Sequence, residues 1–255
     1  MNFNIEFIKM RFEETIKNKF LYSKNKNIFK YIYFYVQYFK SRIKLKKSYS
    51  NWGIDMMADF FFREINKGVF IDIGCHHPMI NNNTYPLYKR GWNGINIDID
   101  YSAIDSFNFL RSKDTNIEIA VSDTIGNSDL FFYHNRAAKN TLSKEKGLDA
   151  KQIRSIKTTT LNKIIQESIY KDQKINFLTI DVEGFELNVL RGFDFKKYKP
   201  ELVVVELIQR GMTEFFHQNI TNIQNSDIYL YMIKQDYKLV NWIHDDLIFV
   251  PLEMK

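Results

Sequence analysis

The chain has 255 residues, 45% of them apolar, enough for one large domain with a sizeable core or one domain plus an appendage. Its net charge of +6 is uneven: residues 1–50 hold 12 Lys and Arg against 3 Asp and Glu, so the remaining 205 residues carry a balance of −3. That body excludes a nucleic-acid argument from bulk charge, and the single cysteine, Cys75, excludes an intrachain disulfide framework or a Cys-rich zinc site.

One cysteine suits a reducing compartment, and the expected location is cytoplasmic. The first residues place Glu6 and Lys9 inside the apolar pattern, which does not read as a secretory signal. The longest aromatic run, Ile28 to Phe39, is broken by Lys30 and Gln37 and falls short of the ~20 residues that span a bilayer.

In chain order, residues 3–21 and 27–46 predict two basic, aromatic, amphipathic helices. They form an extension over residues 1–50, read as a helical cap or half of a homodimer contact. The competing reading is peripheral contact with an anionic membrane on its inner face. A second domain, 51–255, follows. It opens with a helix over Trp52 to Ile65 and a buried strand, Val69 to Asp72. A short helix, Tyr85 to Arg90, precedes a strand from Gly94 to Asp98 and a helix from Ser102 to Arg111. The third strand is expected over Ile117 to Val121, a turn over Ser122 to Gly126, and an extra strand over Asp129 to Tyr133.

Residues 134–157 show no period and read as an active-site loop of unusual length. Beyond it come a helix (Thr160 to Ser168), a fourth strand (Ile175 to Asp181), a helix ended by Gly192 and a fifth strand (Leu202 to Glu206). A helix near Ile228 to Lys234 leads to an antiparallel hairpin, Tyr237 to Trp242 and Asp246 to Val250. Strands alternating with helices predict an α/β fold with a mostly parallel sheet covered on both faces.

The chemistry gathers at strand ends. Asp72-Ile73-Gly74 closes the first strand, where a glycine lets the backbone approach a ligand. Asp98, 26 residues later, ends the second strand, the position of an acid that accepts from ribose hydroxyls. A dinucleotide fold would show G-x-G-x-x-G after the first strand; here Gly74 is followed by Cys75, His76, His77 and Pro78. The pattern therefore points to a cofactor with a ribose and no pyrophosphate, which S-adenosylmethionine satisfies. Asp123 could accept from an adenine amino group, or serve only as a turn residue. Asp181 ends the fourth strand and Glu206 the fifth. Either could draw a proton from a hydroxyl or hold a divalent cation. Glu183 and Glu186 read as caps of the following helix. One of His76 and His77 is expected to bond the loop backbone and the other to act as base or ligand. Lys139, Lys144 and Arg111 could meet an acceptor phosphate.

Together, Asp72-Ile-Gly-Cys-His-His-Pro, Asn83-Thr84-Tyr85, Gly91-Trp-Asn-Gly-Ile-Asn-Ile-Asp98, Ala120-Val-Ser122, Phe177-Leu-Thr-Ile-Asp-Val-Glu-Gly-Phe-Glu186 and Val189-Leu-Arg-Gly192 resemble the FkbM family of S-adenosylmethionine-dependent methyltransferases over residues 50–210. The resemblance implies a Rossmann-like class I methyltransferase fold with a seven-stranded sheet, and methylation of hydroxyls, often on sugars or polyketides. It implies cofactor contacts at Asp72, Gly74, Thr84, Asp98, Ser122 and Asp123, with Asp181 beside the methyl group. The family often has Glu-Pro where this chain has Asp98-Ile99, which keeps the acid and alters the loop.

The candidate cofactor set is Asp72, Gly74, His76, Thr84, Asp98, Asp100, Ser122, Asp123 and Asp181. The catalytic candidates are Asp181, Glu206 and His77; a divalent metal, if used, falls to Asp181 and Glu206. The expected acceptor is a small molecule or carbohydrate, with a lipid-linked acceptor or a non-catalytic binding module as alternatives.

Overall fold

The computed structural model describes residues 35, 48–134, 137, 139–208 and 219–254. The chain divides into two compact units, residues 1–47 and 48–255, and both sheets belong to the second. The helices expected over residues 3–21 and 27–46 lie outside the described residues, Tyr35 apart.

β1 (Val69–Ile73) is buried along its whole length, as its apolar run demands. It pairs in parallel with β2 (Asn93–Asp98) on one side and β7 (Phe177–Ile180) on the other. β3 (Thr115–Glu118) extends the sheet beyond β2, and β8 (Leu202–Glu206) extends it beyond β7, both in parallel. β10 (Asp246–Pro251) runs antiparallel to β8 and to the edge strand β9 (Tyr237–Ile243). The order β3-β2-β1-β7-β8-β10-β9, with one reversed strand near the end, is the class I methyltransferase topology.

Alternate strand residues enter opposite layers. Ile71, Ile73, Leu178, Ile180, Val203 and Val205 pack under α4 (Leu161–Glu167), α5 (Glu186–Arg191) and α8 (Asp227–Lys234). Phe70, Phe177, Leu202 and Val204 pack under α1 (Ile54–Phe61) and α2 (Tyr85–Lys89). α3 (Tyr101–Leu110) covers the β1–β2 crossover through Ile104 and Phe107. α1 starts after Gly53 (φ +84°) rather than at Trp52. The Asp55 carboxylate there accepts from Ser48 Oγ at 2.7 Å, Tyr49 N–H at 2.6 Å and Ser50 Oγ at 2.8 Å, which moors the first residues of the unit.

The structure departs from the sequence reading between residues 115 and 159. The third strand is two strands: β3 ends at Glu118, and Ala120–Val121 (β4) belongs to a second sheet. β5 (Gly126–Phe132) is longer than expected. The last part of the expected loop, Gln152–Thr159, is a strand, β6, parallel to β4 and antiparallel to β5. Residues 152–155 of β6 are exposed on both faces, so no apolar alternation marks them. The loop proper is 133–151. Two short helices, α6 (Phe195–Tyr198) and α7 (Ile220–Gln224), complete the described elements.

Candidate active site

Parallel strands deliver their carboxyl ends to one edge, where the segments after β1, β2, β3 and β7, the last residue of β8 and residues between β5 and β6 surround a cavity of about 250 Å³. Gly74 makes this geometry possible. It sits at φ +79°, and a Cβ added to it would lie 1.6 Å from the carbonyl oxygen of Asp181. The glycine is therefore required by the close approach of the β1 and β7 loops to each other, before any ligand is considered.

Asp98, at the end of β2, lines the cavity. Its Oδ2 accepts from the His76 N–H and its Oδ1 from the Asp100 N–H, both at 2.8 Å. Burial raises its pKa against these two bonds. Asp100 also lines the cavity, but its Oδ1 caps α3 by accepting from Ser102 and Ala103. Across the cavity, Asp181 opens into the space while its backbone N–H bonds Ile73 O at 2.9 Å. Glu206, the last residue of β8, faces it with Oε2 wholly buried. The two carboxyl groups interact directly, and burial raises both pKa values; Glu206 is raised well above its ordinary range, with Asp181 the next cause.

Glu183 does not cap α5 as the sequence suggests: it lines the cavity at a left-handed φ of +59°, ahead of Gly184 at +94°. Burial, then Asp181 and Glu186, push its carboxyl up to about 7 against the pull of Lys146. Glu186 braces the loop ahead of α5 instead: its Oε1 accepts from Val182 N–H at 3.0 Å and Gly184 N–H at 2.9 Å, and no side-chain hydrogen bond caps the helix at Phe185. Asn51, Asn81 and Asn140 add polar wall, and Ile97, Ile99, Leu142 and Phe185 add apolar wall.

A family model for the FkbM methyltransferase domain matches residues 72–239. The chain belongs to the FkbM methyltransferase family. The chain is also similar to a solved structure described as a TehB-like S-adenosylmethionine-dependent methyltransferase from Corynebacterium glutamicum. That likeness has 11% identity and a TM-score of 0.40, over 85% of this chain and 96% of that one. Among curated proteins none matches.

In this FkbM domain several expected contacts stand behind the wall rather than in it. Asp72 is buried, and its Oδ2 accepts from Asn82 Nδ2 at 3.0 Å and Thr84 Oγ1 at 2.9 Å. Burial raises its pKa to about 6, opposed first by Arg111. Thr84 is fully buried and its hydroxyl holds Asp72. Arg111, a candidate for an acceptor phosphate, is also fully buried: Nε donates to Asp114 at 2.9 Å and Nη1 to Thr84 Oγ1 at 3.0 Å. Ser122 and Asp123 lie outside the cavity wall, where Ser122 Oγ donates to Asp123 and the Ser122 carbonyl packs on Gly192. Ile119, Ala120 and Val121 line the cavity instead.

The two histidines divide the expected parts. His77 Nδ1 accepts from the Met79 and Ile80 N–H groups at 3.1 and 3.0 Å and does not line the cavity; His76, at φ +51°, does. No group of three or more His, Cys, Asp or Glu among the described residues is arranged to hold a metal, so Asp181 and Glu206 gain no support as a cation site.

The donor set nevertheless fits the family's cofactor. Acids line the cavity and no Lys or Arg does among the described residues, which suits a sulfonium and an ammonium and not a phosphate. Asn51, Asn81, Asn140, Glu183 and Phe185 escape a reading of the sequence for site residues. Glu183 carries a signal, since an acid before glycine in a loop beyond a buried strand can point inward as readily as cap.

Proposed function

We propose that the protein transfers a methyl group to a hydroxyl of a sugar, either a nucleotide-linked sugar or a unit of a surface polysaccharide. The observation that carries this reading is the Asp181–Glu206 carboxyl pair facing the cavity beside three asparagines. A sugar hydroxyl is a weak acid, so its attack is helped by a base in place. Asparagines and carboxylates suit a polyhydroxylated acceptor.

S-adenosylmethionine, when bound, supplies an activated methyl group. Asp98 would accept from its ribose, and Gly74 and His76 would face its amino-acid end. Asp181 would take the acceptor hydroxyl's proton while the methyl carbon exchanges its bond to sulfur for one to the acceptor oxygen, leaving a neutral thioether. Glu206, whose neutral form burial favours, would hydrogen-bond Asp181 and hold it toward the incoming hydroxyl. Because burial raises the Asp181 pKa, the rate should climb with pH above the ordinary carboxylate range.

The experiment is a screen of nucleotide-sugars with the cofactor, read by mass spectrometry for one added methyl group and repeated with chelator. With an acceptor in hand, Asp181→Asn should lower kcat by roughly 10²–10⁴ with little change in cofactor affinity. Unchanged turnover would remove Asp181 from the chemistry. Calorimetry with S-adenosylhomocysteine separates this reading from a non-catalytic module, which would bind none.

A further inference from the structure

The cavity wall carries more negative charge than the cofactor neutralises. Five carboxyl groups line it: Asp98, Asp100, Asp181, Glu183 and Glu206. Asp98 and Asp100 are engaged by neighbouring backbone N–H groups. The other three gather where β7 and β8 end. S-adenosylmethionine brings a sulfonium, an ammonium and a carboxylate, and its amino-acid end belongs with Gly74 and His76.

The acids beyond β7 and β8 are crowded without a counter-ion. Asp181 and Glu206 interact directly, and Glu206 Oε2 is wholly buried with no donor to it. Asp246 stands opposite Glu206 in the antiparallel β8–β10 register, which puts both acids on one face of the sheet. Like charges so placed are destabilising, and buried carboxylates are ordinarily paired. Among the described residues no Lys or Arg forms an ion pair with Asp181, Glu183, Glu206 or Asp246. Lys146 acts on Glu183, and His76 on Asp181, through space and without such a contact. No three acids among the described residues are arranged to hold a metal.

The balancing charge therefore comes with the acceptor. A phosphate beside these acids is repelled. A primary ammonium is compact and carries three donors, which suits Glu206 Oε2 and Glu183 together. Glu206 touches Asp181, so an ammonium it holds falls next to the hydroxyl presented to Asp181. In a sugar that is an amine and a hydroxyl on adjoining carbons.

We propose that the acceptor is an amino sugar whose ammonium group is held by Glu206 and Glu183, beside the hydroxyl presented to Asp181. This rests on the reading of the protein as a sugar O-methyltransferase and names the class of sugar.

The test is calorimetry of the full chain saturated with S-adenosylhomocysteine. The probes are the methyl glycosides of glucosamine, galactosamine and mannosamine, each against its N-acetyl form and its parent hexose. At least one amino glycoside should bind roughly tenfold more tightly than both of its neutral counterparts. Glu206→Gln and Glu183→Gln should each erase that preference while S-adenosylhomocysteine affinity holds. Tm should stay level or rise, because each change removes one of several crowded acids. Should Glu206→Gln fail to fold, Glu183→Gln decides alone. Equal affinity for amino and neutral glycosides, or no amino glycoside bound at millimolar concentration, would overturn the proposal. So would a preference that survives in the folded variants. Mass spectrometry of turnover mixtures with S-adenosylmethionine separates the two readings. Neutral glycosides methylated as efficiently as amino ones would overturn the amino-sugar reading alone. Selective binding of an amino glycoside with no transfer to it would overturn hydroxyl methylation alone, and methylation on nitrogen would overturn both.

Discussion

Gly74 and Arg111 show how single residues set the site without touching a ligand. At Gly74 the constraint is a carbonyl: an added Cβ meets Asp181 O at 1.6 Å, and the +79° φ alone costs an L-residue roughly 1–2 kcal/mol. Gly74→Ala should therefore push the β1 and β7 loops apart. The expected result is a lower Tm together with at least a tenfold loss of S-adenosylhomocysteine affinity by calorimetry. Arg111 acts one layer further back. It bonds Asp114, Asn82 and Thr84, and its guanidinium lies 4.7–5.1 Å from the Phe70, Tyr88 and Phe107 ring centroids. Asn82 and Thr84 then hold Asp72, and Asn82 Nδ2 also reaches Cys75 O at 3.5 Å, beside the His76 that lines the cavity. Arg111→Met leaves Asp114 and Asp72 without their cation. It should cost about 3–5 kcal/mol in chemical denaturation, the usual penalty for breaking a buried pair. A surface role toward acceptor phosphate would instead leave stability unchanged and raise KM.

Among the elements, the second sheet and its loop decide how the cavity is walled. β5 and β6 carry the 133–151 loop to the cavity, where Asn140 and Leu142 line it. Thr141 Oγ1 donates to Glu183 O at 2.8 Å, and Phe131 pairs with Thr141 through backbone bonds at 2.8 and 3.3 Å. One hydroxyl thus ties the loop to the left-handed turn that presents Glu183. Thr141→Val keeps the shape and removes the bond, a loss of about 0.5–1.5 kcal/mol. If the loop positions Glu183 for the acceptor, KM for the acceptor should rise several-fold while S-adenosylhomocysteine affinity holds; equal losses in both would assign Thr141 to general stability. The seven-stranded sheet is legible in the sequence because its strands are buried runs separated by helical periods. β6 is not, because Gln152 to Ser155 bury neither face, and β3 and β4 merge because an apolar run does not announce a change of pairing partner. The acids at strand ends are legible as positions, Asp98, Asp181 and Glu206 above all. Which neighbours face inward is not, because His76 and Glu183 reach the cavity through left-handed backbone that composition does not reveal.

For the molecule as a whole, the carboxyl edge of the sheet concentrates negative charge. Glu183, Glu186 and Asp246 are each pushed up to about 7, first by burial and then by neighbouring acids; Asp72 reaches about 6, and Asp181 and Glu206 are raised with them. A carboxyl whose folded pKa lies above its unfolded value binds protons more readily in the native state. Its stabilising contribution is therefore complete below the unfolded range near 4 and is lost as pH rises through the folded value. The ligand-free protein should accordingly lose Tm between about pH 5 and about pH 8, the opposite of a protein held together by salt-bridged carboxylates. A cation in the cavity offsets that repulsion. S-adenosylmethionine carries a sulfonium, whereas S-adenosylhomocysteine carries a neutral thioether in the same frame. The methylated form should raise Tm more at matched saturation, with the difference widening as pH climbs past about 7 and shrinking toward about pH 5. Thermal unfolding with each ligand across that range makes the comparison. A difference that is constant with pH would mean that the acids gathered at this edge do not sense the charge on sulfur.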